Sequence, residues 1–141
     1  MFGFENADFM NKKFIDYKAI NPRRHVLASQ QFDTEFLNDL FDRADRIKKG
    51  DVRRSLEGKV VALLFYEPST RTRLSFDLAA NLLGAHVFNT ENARDFSSAV
   101  KGESIEDTVR VVGDHVNIMV IRNYEEGGAD AASKVSRVPI I

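Results

Sequence analysis

Lys59-Val60-Val61-Ala62-Leu63-Leu64-Phe65-Tyr66-Glu67-Pro68-Ser69-Thr70-Arg71-Thr72-Arg73 is the stretch on which the reading of the fold turns. It opens with a short, unbroken apolar run that does not alternate, the pattern of a strand covered on both faces. Glu67-Pro68-Ser69 interrupts the run. A helix is then expected from Thr70 to Leu83, with Leu74, Leu78 and Leu82 at spacing four and Gly84 as its stop. A doubly covered strand that passes straight into a helix is the first half of a β-α-β unit.

The same alternation extends outward. Upstream, Asp33 is placed to cap a helix carrying Phe36, Leu37, Leu40, Phe41, Ala44 and Ile47 on one face, with Gly50 closing it. Downstream, Ala85 to Asn89 reads as a second strand. Ser104-Ile105-Glu106-Asp107 has the form of a capping box and opens a helix through Val109 and Val112 to Gly113. Val116 to Ile121 is a third strand, Gly128 to Val135 a further short helix, and Pro139-Ile140-Ile141 the beginning of a fourth strand. Strands alternating with helices imply right-handed crossovers and an α/β fold, a parallel four-stranded sheet flanked by helices. Thr90 to Gly102 is polar and without periodicity, a long loop of the kind that usually carries function. Residues 1–31 stand apart as an N-terminal arm, where Phe9, Met10, Phe14, Tyr17 and Ile20 recur at roughly helical spacing until Asn21-Pro22. The arm either packs on the domain or serves self-association, and residues 32–141 form one domain.

Composition narrows the function. The 141 residues hold 20 Lys+Arg and 21 Asp+Glu, a formal charge of −1, so no overall basic field draws nucleic acid or anionic lipid. Cysteine is absent, which removes disulfides, Cys-ligated zinc and a thiol nucleophile. His25, His86 and His115 have no ligand-like spacing, so no metal is expected. The longest apolar run, Val60 to Tyr66, is far too short to cross a membrane. Residues 1–20 contain no Arg and several acidic groups, unlike a secretory or transit leader. A cytoplasmic location is expected, or an organellar one if a transit peptide has been removed.

The junction after the first strand suits an anion. Parallel α/β sheets bind ligands beyond the carboxyl ends of their strands, at helix N-termini. There the first turn offers free backbone N–H groups and the positive end of the helix dipole. Ser69, Thr70 and Thr72 add hydroxyls, and Arg71 adds a guanidinium that can hold two phosphate oxygens at once. Arg71 and Arg73 sit where the dipole disfavours cations, which makes sense if an anion occupies the turn. Without one, Ser69 is only a helix cap and the arginines are solvated. Neither a G-x-x-x-x-G-K-[ST] nor a G-x-G-x-x-G motif is present, so a small phosphorylated metabolite fits better than a nucleotide. Arg122 ends the third strand and can reach the same crevice, while Ser97, Ser98 and Lys101 bring hydroxyls and a cation on the long loop.

Phe65-Tyr66-Glu67-Pro68-Ser69-Thr70-Arg71-Thr72-Arg73-Leu74-Ser75-Phe76-Asp77 resembles the carbamoyl-phosphate motif of the aspartate/ornithine carbamoyltransferase family. The likeness continues through Leu83-Gly84-Ala85 and Lys101-Gly102-Glu103-Ser104-Ile105-Glu106-Asp107-Thr108 to Arg122, and covers about residues 21–141. Within the family, Glu67-Pro68 and the Lys101 loop are similar to aspartate-using members, because ornithine-using members typically lack that lysine. The resemblance implies that Ser69, Thr70, Arg71 and Thr72 hold the phosphate and that Arg122 reaches both phosphate and carbonyl oxygen. It implies that Ser97 and Lys101 enter the site of a neighbouring subunit in a homotrimer. Glu67 would pair with arginines of a second domain on closure. The implied chemistry is transfer of the carbamoyl group to L-aspartate in pyrimidine biosynthesis, with Arg71, Thr72, Lys101 and Arg122 catalytic and no cofactor or metal.

Departures from the family pattern are few. Val100 stands where some bacterial relatives carry a second loop cation, and Asn123-Tyr124 follows Arg122 where His-Pro is common. The family's His-Pro-x-Gln segment and aspartate-binding domain lie beyond these residues. On its own the stretch is therefore expected to bind carbamoyl phosphate weakly, to lack turnover and to self-associate through surface that the second domain would cover. Two other readings stay open: an ornithine or other amino-acid carbamoyltransferase, and a non-catalytic phosphate-binding or regulatory domain.

Overall fold

The computed structural model describes residues 25–90 and 103–141. The N-terminal arm up to residue 24 and most of the long loop, with Ser97, Ser98 and Lys101, lie outside the described residues. A 3-10 turn at Ser29–Gln31 leads to α1 (Thr34–Lys48), β1 (Val60–Phe65), α2 (Thr70–Leu82), β2 (His86–Thr90), α3 (Ile105–Gly113), β3 (Ile118–Arg122) and α4 (Gly128–Val135). The three strands form one parallel sheet in the order β2-β1-β3.

The unbroken apolar run follows from the central place of β1. Val61, Leu63 and Phe65 point to one face, where they pack with Ala80, Ala85 and Val120. Ala62, Leu64 and Tyr66 point to the other, against Val109, Met119, Ala132 and Ile140. Side chains alternate along a strand, so burial of both faces demands apolar residues at every position. Helix α2 covers the first face through Phe76 and Ala80, four residues apart, while α3 and α4 cover the second through Val109 and Ala132. Leu74, Leu78 and Leu82 lie on a different side of α2 and stay more than half exposed, and α1 buries no residue at all.

The fourth strand of the expected sheet is reduced to one parallel bridge between Met119 and Ile140. Met119 N–H donates to the Pro139 carbonyl at 3.0 Å and Ile141 N–H to the Met119 carbonyl at 2.9 Å, but Pro139 has no N–H to extend the ladder. β3 begins two residues later than its pattern suggests. Asn117 occupies the earlier position and closes the sheet's start: its backbone N–H donates to the Val60 carbonyl at 2.8 Å and its Oδ1 accepts from Val60 N–H at 2.9 Å.

Residues 25–28 attach to the same edge. Val26 N–H donates to the Ile140 carbonyl at 2.7 Å, and the buried His25 accepts the Ile140 N–H on Nδ1 at 3.1 Å. The Gln31 side chain locks this segment, accepting from Leu27 and Ala28 N–H at 2.6 and 2.9 Å and donating to the His25 carbonyl. The helix starts follow the sequence: Asp33 accepts from Phe36 N–H at 2.8 Å, and Ser104 Oγ accepts from Asp107 N–H at 3.1 Å. Gly84 holds φ +89°, and a Cβ there would come within 2.8 Å of the Glu57 carboxylate, so the α2–β2 turn needs glycine.

Tyr66 ties this packing to pH. Burial pushes its hydroxyl pKa up from the ordinary 10.0, with a hydrogen bond involving Thr108 working against that shift and the charges of Glu103 and Tyr124 adding to it. A raised folded-state pKa contributes stability fully present below the unfolded value and lost as pH rises through the folded one. Chemical denaturation is therefore expected to show stability falling above about pH 10, and Tyr66→Phe should remove part of that fall. An unchanged alkaline slope in Tyr66→Phe would contradict the account.

Candidate functional site

The topology selects one crevice. From β1 the chain passes through α2 on one face to β2, whereas from β3 it passes through α4 on the other face towards Ile140. The connections diverge between β1 and β3, and at such a switch point the loops leave a gap beyond the strand ends where α/β proteins bind ligands.

Register brings the side chains to that gap. Phe65 lies opposite Arg122, and Tyr66 N–H donates to the Arg122 carbonyl at 3.0 Å. Ile118 and Val120 join the α2-side cluster, so alternation along β3 turns Arg122 to the face from which α2 rises. Its guanidinium donates from Nε to Glu67 Oε1 at 2.6 Å and from Nη1 to Ser69 Oγ at 2.6 Å. Glu67, Ser69 and Arg122 are each partly buried. The Glu67–Arg122 pair is about 40% exposed on each side, so solvent screens it and its role is to orient the guanidinium.

Ser69 holds the N-cap position of α2, yet its side chain caps nothing. Its hydroxyl is taken by Arg122 instead. Arg73 N–H is the first to find a helical acceptor, the Ser69 carbonyl at 3.0 Å, which leaves the Thr70, Arg71 and Thr72 N–H groups without one among the described residues. Unfilled first-turn N–H groups carry the positive end of the helix dipole and point where an anion would sit. Thr70, Arg71 and Thr72 are exposed, and the Arg71 guanidinium makes no hydrogen bond or ion pair to the described residues.

Of the residues singled out in the sequence, Glu67, Ser69, Thr70, Arg71, Thr72 and Arg122 meet at this junction, and Ser97 and Lys101 lie outside the described residues. Glu67 pairs with Arg122 of the same chain, a partnership its position in the sequence did not suggest. Beside Arg122 lies a groove without a clear sequence pattern, a cavity of about 280 Å³ lined by Leu27, Asn123, Gly128 and Asp130. Gly127-Gly128 between a strand and a helix was its only signal. No group of three or more potential metal ligands occurs among the described residues, and no helix among them is long and apolar enough to cross a membrane.

Fold and junction together define an α/β domain that presents a positively polarised helix start and two arginines at its switch point. Residues 24–141 match the family model described as aspartate/ornithine carbamoyltransferase, carbamoyl-P binding domain, and the chain belongs to that family. It is 48% identical over 120 residues to the chloroplastic aspartate carbamoyltransferase of Arabidopsis thaliana, an alignment covering 82% of this chain and 31% of that protein. To the aspartate carbamoyltransferase catalytic subunit of Methanocella arvoryzae it is 42% identical over 121 residues, 84% of this chain and 39% of the relative. Among solved structures, the catalytic subunit of M. jannaschii aspartate transcarbamoylase superposes with a TM-score of 0.75 at 40% identity, covering 83% of this chain and 39% of that one. The anabolic ornithine carbamoyltransferase of Campylobacter jejuni also reaches 0.75, at 30% identity over 84% of this chain and 38% of its own. The chain thus spans well under half the length of these relatives.

The uncapped state of α2 has a measurable consequence. Replacing an N-cap that accepts a first-turn N–H costs about 1 kcal/mol. Ser104→Ala is expected to lose about that much on chemical denaturation, whereas the loss in Ser69→Ala comes from the Arg122 contact and should largely disappear in an Arg122→Ala background. Equal destabilisation by the two in that background would overturn this distinction.

Proposed function

We propose that this chain is the carbamoyl-phosphate half of an aspartate carbamoyltransferase, an enzyme that moves the carbamoyl group of carbamoyl phosphate to L-aspartate and releases phosphate on the way to pyrimidines. The observation that carries the reading is Arg122 hydrogen-bonded to Ser69 at 2.6 Å, beside three first-turn N–H groups without helical acceptors. The arrangement offers donors on two sides of one small anion. Family membership and the named aspartate-using relatives support the choice of acceptor, as do Glu67-Pro68 and Lys101 in the sequence.

In this mechanism the phosphate rests on the start of α2, held by the Thr70, Arg71 and Thr72 N–H groups, the Ser69, Thr70 and Thr72 hydroxyls and the Arg71 guanidinium. Ser97 and Lys101 reach the same phosphate from a neighbouring subunit of a homotrimer. Arg122 keeps its contact with Ser69 and turns part of its fork to the phosphate and the carbamoyl oxygen, while Thr72 polarises that oxygen. The aspartate amine attacks the carbamoyl carbon, the new C–N bond forms, the C–O bond to phosphate breaks, and the departing phosphate takes the proton that the amine gives up. Arg71, Arg122 and Lys101 neutralise the negative charge that collects on the leaving phosphate, and donors already aimed at that charge lower the barrier without reorganising. Holding both reactants in line supplies the remainder. L-Aspartate is held by a second domain, and Glu67 pairs with arginines of that domain when it closes. The exposed row Leu74, Leu78 and Leu82 on α2 supports association with further protein surface. The site of action is the cytoplasm, or an organelle in keeping with the chloroplastic name of the Arabidopsis relative.

In the full-length protein Arg71→Ala is expected to lower carbamoyl-aspartate production by at least about 100-fold, the scale for losing one preorganised charge-stabilising donor, with the circular dichroism spectrum unchanged. Production near the parent level would sink the assignment. Ornithine offered in place of aspartate should give no product, and carbamoyl-ornithine as the main product would shift the reading to the ornithine enzyme. Residues 1–141 alone should give neither, because both substrates must be held together.

A further inference from the structure

A second cluster of arginines lies at the opposite end of the sheet. A cavity of about 290 Å³ opens there, below the N-terminal ends of the strands, between the end of α1, the 50–55 loop and the end of α2. Arg43 and Arg46 are three residues apart on α1 and reach it from one side, and Arg53 reaches it from the loop. Ser55 adds a hydroxyl, and Ile47, Val52 and Leu83 supply an apolar floor. Asp51 is the one carboxylate in the lining, which leaves an excess of two positive charges.

The pairing of these arginines sets them apart. Arg54, Arg110, Arg122 and Arg137 each form an ion pair, with Glu57, Asp107, Glu67 and Asp114 respectively, and Arg73 is also engaged. Four arginines make no hydrogen bond or ion pair through their side chains among the described residues: Arg43, Arg46, Arg53 and Arg71. Arg71 stands at the carbamoyltransferase site, and the other three surround this one cavity. Three guanidinium charges stand against one carboxylate and the partial negative ends of α1 and α2, so net positive charge remains, and a bound anion would lower the repulsion that is left.

The backbone around the cavity is already organised. Asp51 N–H donates to the Arg46 carbonyl at 3.1 Å and ties the loop to the end of α1, while Val52 N–H to the Gly50 carbonyl at 2.9 Å and Ser55 N–H to the Arg53 carbonyl at 2.8 Å close tight turns within the loop. Leu56 N–H donates to the Leu83 carbonyl at 2.9 Å and ties the same loop to the end of α2. The backbone that carries Arg53 and Ser55 is therefore in place before a ligand arrives.

We propose that this cavity is a second anion site, distinct from the junction at Ser69, and that it takes a small metabolite carrying two phosphate groups. Three guanidinium forks match two phosphates, each able to hold two oxygens of one group. The volume lies at the lower end of small-ligand sites, about 300 Å³ and upward, and so favours a compact diphosphate. The site lies one helix length from the first: α2 begins at the Ser69 junction and ends at the cavity wall, about 20 Å away at 1.5 Å per residue. A ligand here touches the far end of the helix whose start holds the carbamoyl phosphate.

Calorimetry on the full-length protein in low-chloride buffer tests the proposal, with inorganic pyrophosphate as the probe. An Arg71→Ala background disables the first site. That variant is expected to keep one saturable pyrophosphate site per chain, and adding Arg43→Gln, Arg46→Gln and Arg53→Gln should weaken it at least ten-fold. Absence of saturable binding in Arg71→Ala, or equal binding after the three further substitutions, overturns the proposal. Asp51→Asn removes the opposing carboxylate and should tighten binding several-fold in the same background. Unchanged or weaker binding in that variant would also overturn it, without depending on how the triple variant folds. ADP in place of pyrophosphate distinguishes the source of the diphosphate: binding at the same arginines supports an organic carrier, and binding of pyrophosphate alone supports the inorganic ion.

Discussion

Burial of β1 on both faces is the constraint from which the rest of the domain follows. Leu63 and Leu64 are fully or almost fully withdrawn from solvent on opposite sides of one backbone, which forces helices onto both faces and a neighbouring strand onto each edge. Parallel pairing then requires crossovers, and crossovers from the central strand to either side create a switch point. The candidate site is therefore where this arrangement must leave a gap, and the polar residues at the end of β1 occupy it.

Within the gap, charge is arranged by mutual restraint. Glu67 and Ser69 come from the end of one strand, Arg122 from the end of the next, and the two hydrogen bonds at 2.6 Å hold the guanidinium in place. The hydroxyl that could have capped α2 serves the arginine, and the helix start keeps open donors. Local helix stability and the contact with Arg122 compete for the same atom, and here the arginine has it. The cavity at the other end of α2 has the contrasting character: among the described residues no carboxylate pairs with its arginines.

Local rules made much of this legible. β1 is defined by its composition, Asp33 and Ser104 by their capping geometry, and Gly128–Val135 begins and ends as its sequence pattern suggests. The run Ser69 to Thr72 could be recognised because the whole anion-suited turn is contiguous. What escaped depends on distant residues. The Glu67–Arg122 pair joins positions 55 apart, the late start of β3 depends on Asn117 binding Val60, and buried His25 meets Ile140 across 115 residues. Periodicity identified α1 and the leucine row of α2, but which side of a helix meets the sheet depends on what is stacked there. Phe76 and Ala80 take that place.

The pairing Phe65↔Arg122 gives the sheet an additional role. Alternation has a period of two, so removing one residue from Ile118–Ile121 would move every later side chain of β3 to the opposite face. Arg122 would then turn towards α4, and any apolar residue between the deletion and Arg122 would face the wrong helices. Packing and chemistry thus read the same ruler, and a frame-preserving deletion in this strand would damage both together. Met119 and Val120 are buried, so substitutions in β3 must keep volume as well as apolarity, while its length is set by the register that brings Arg122 opposite Phe65.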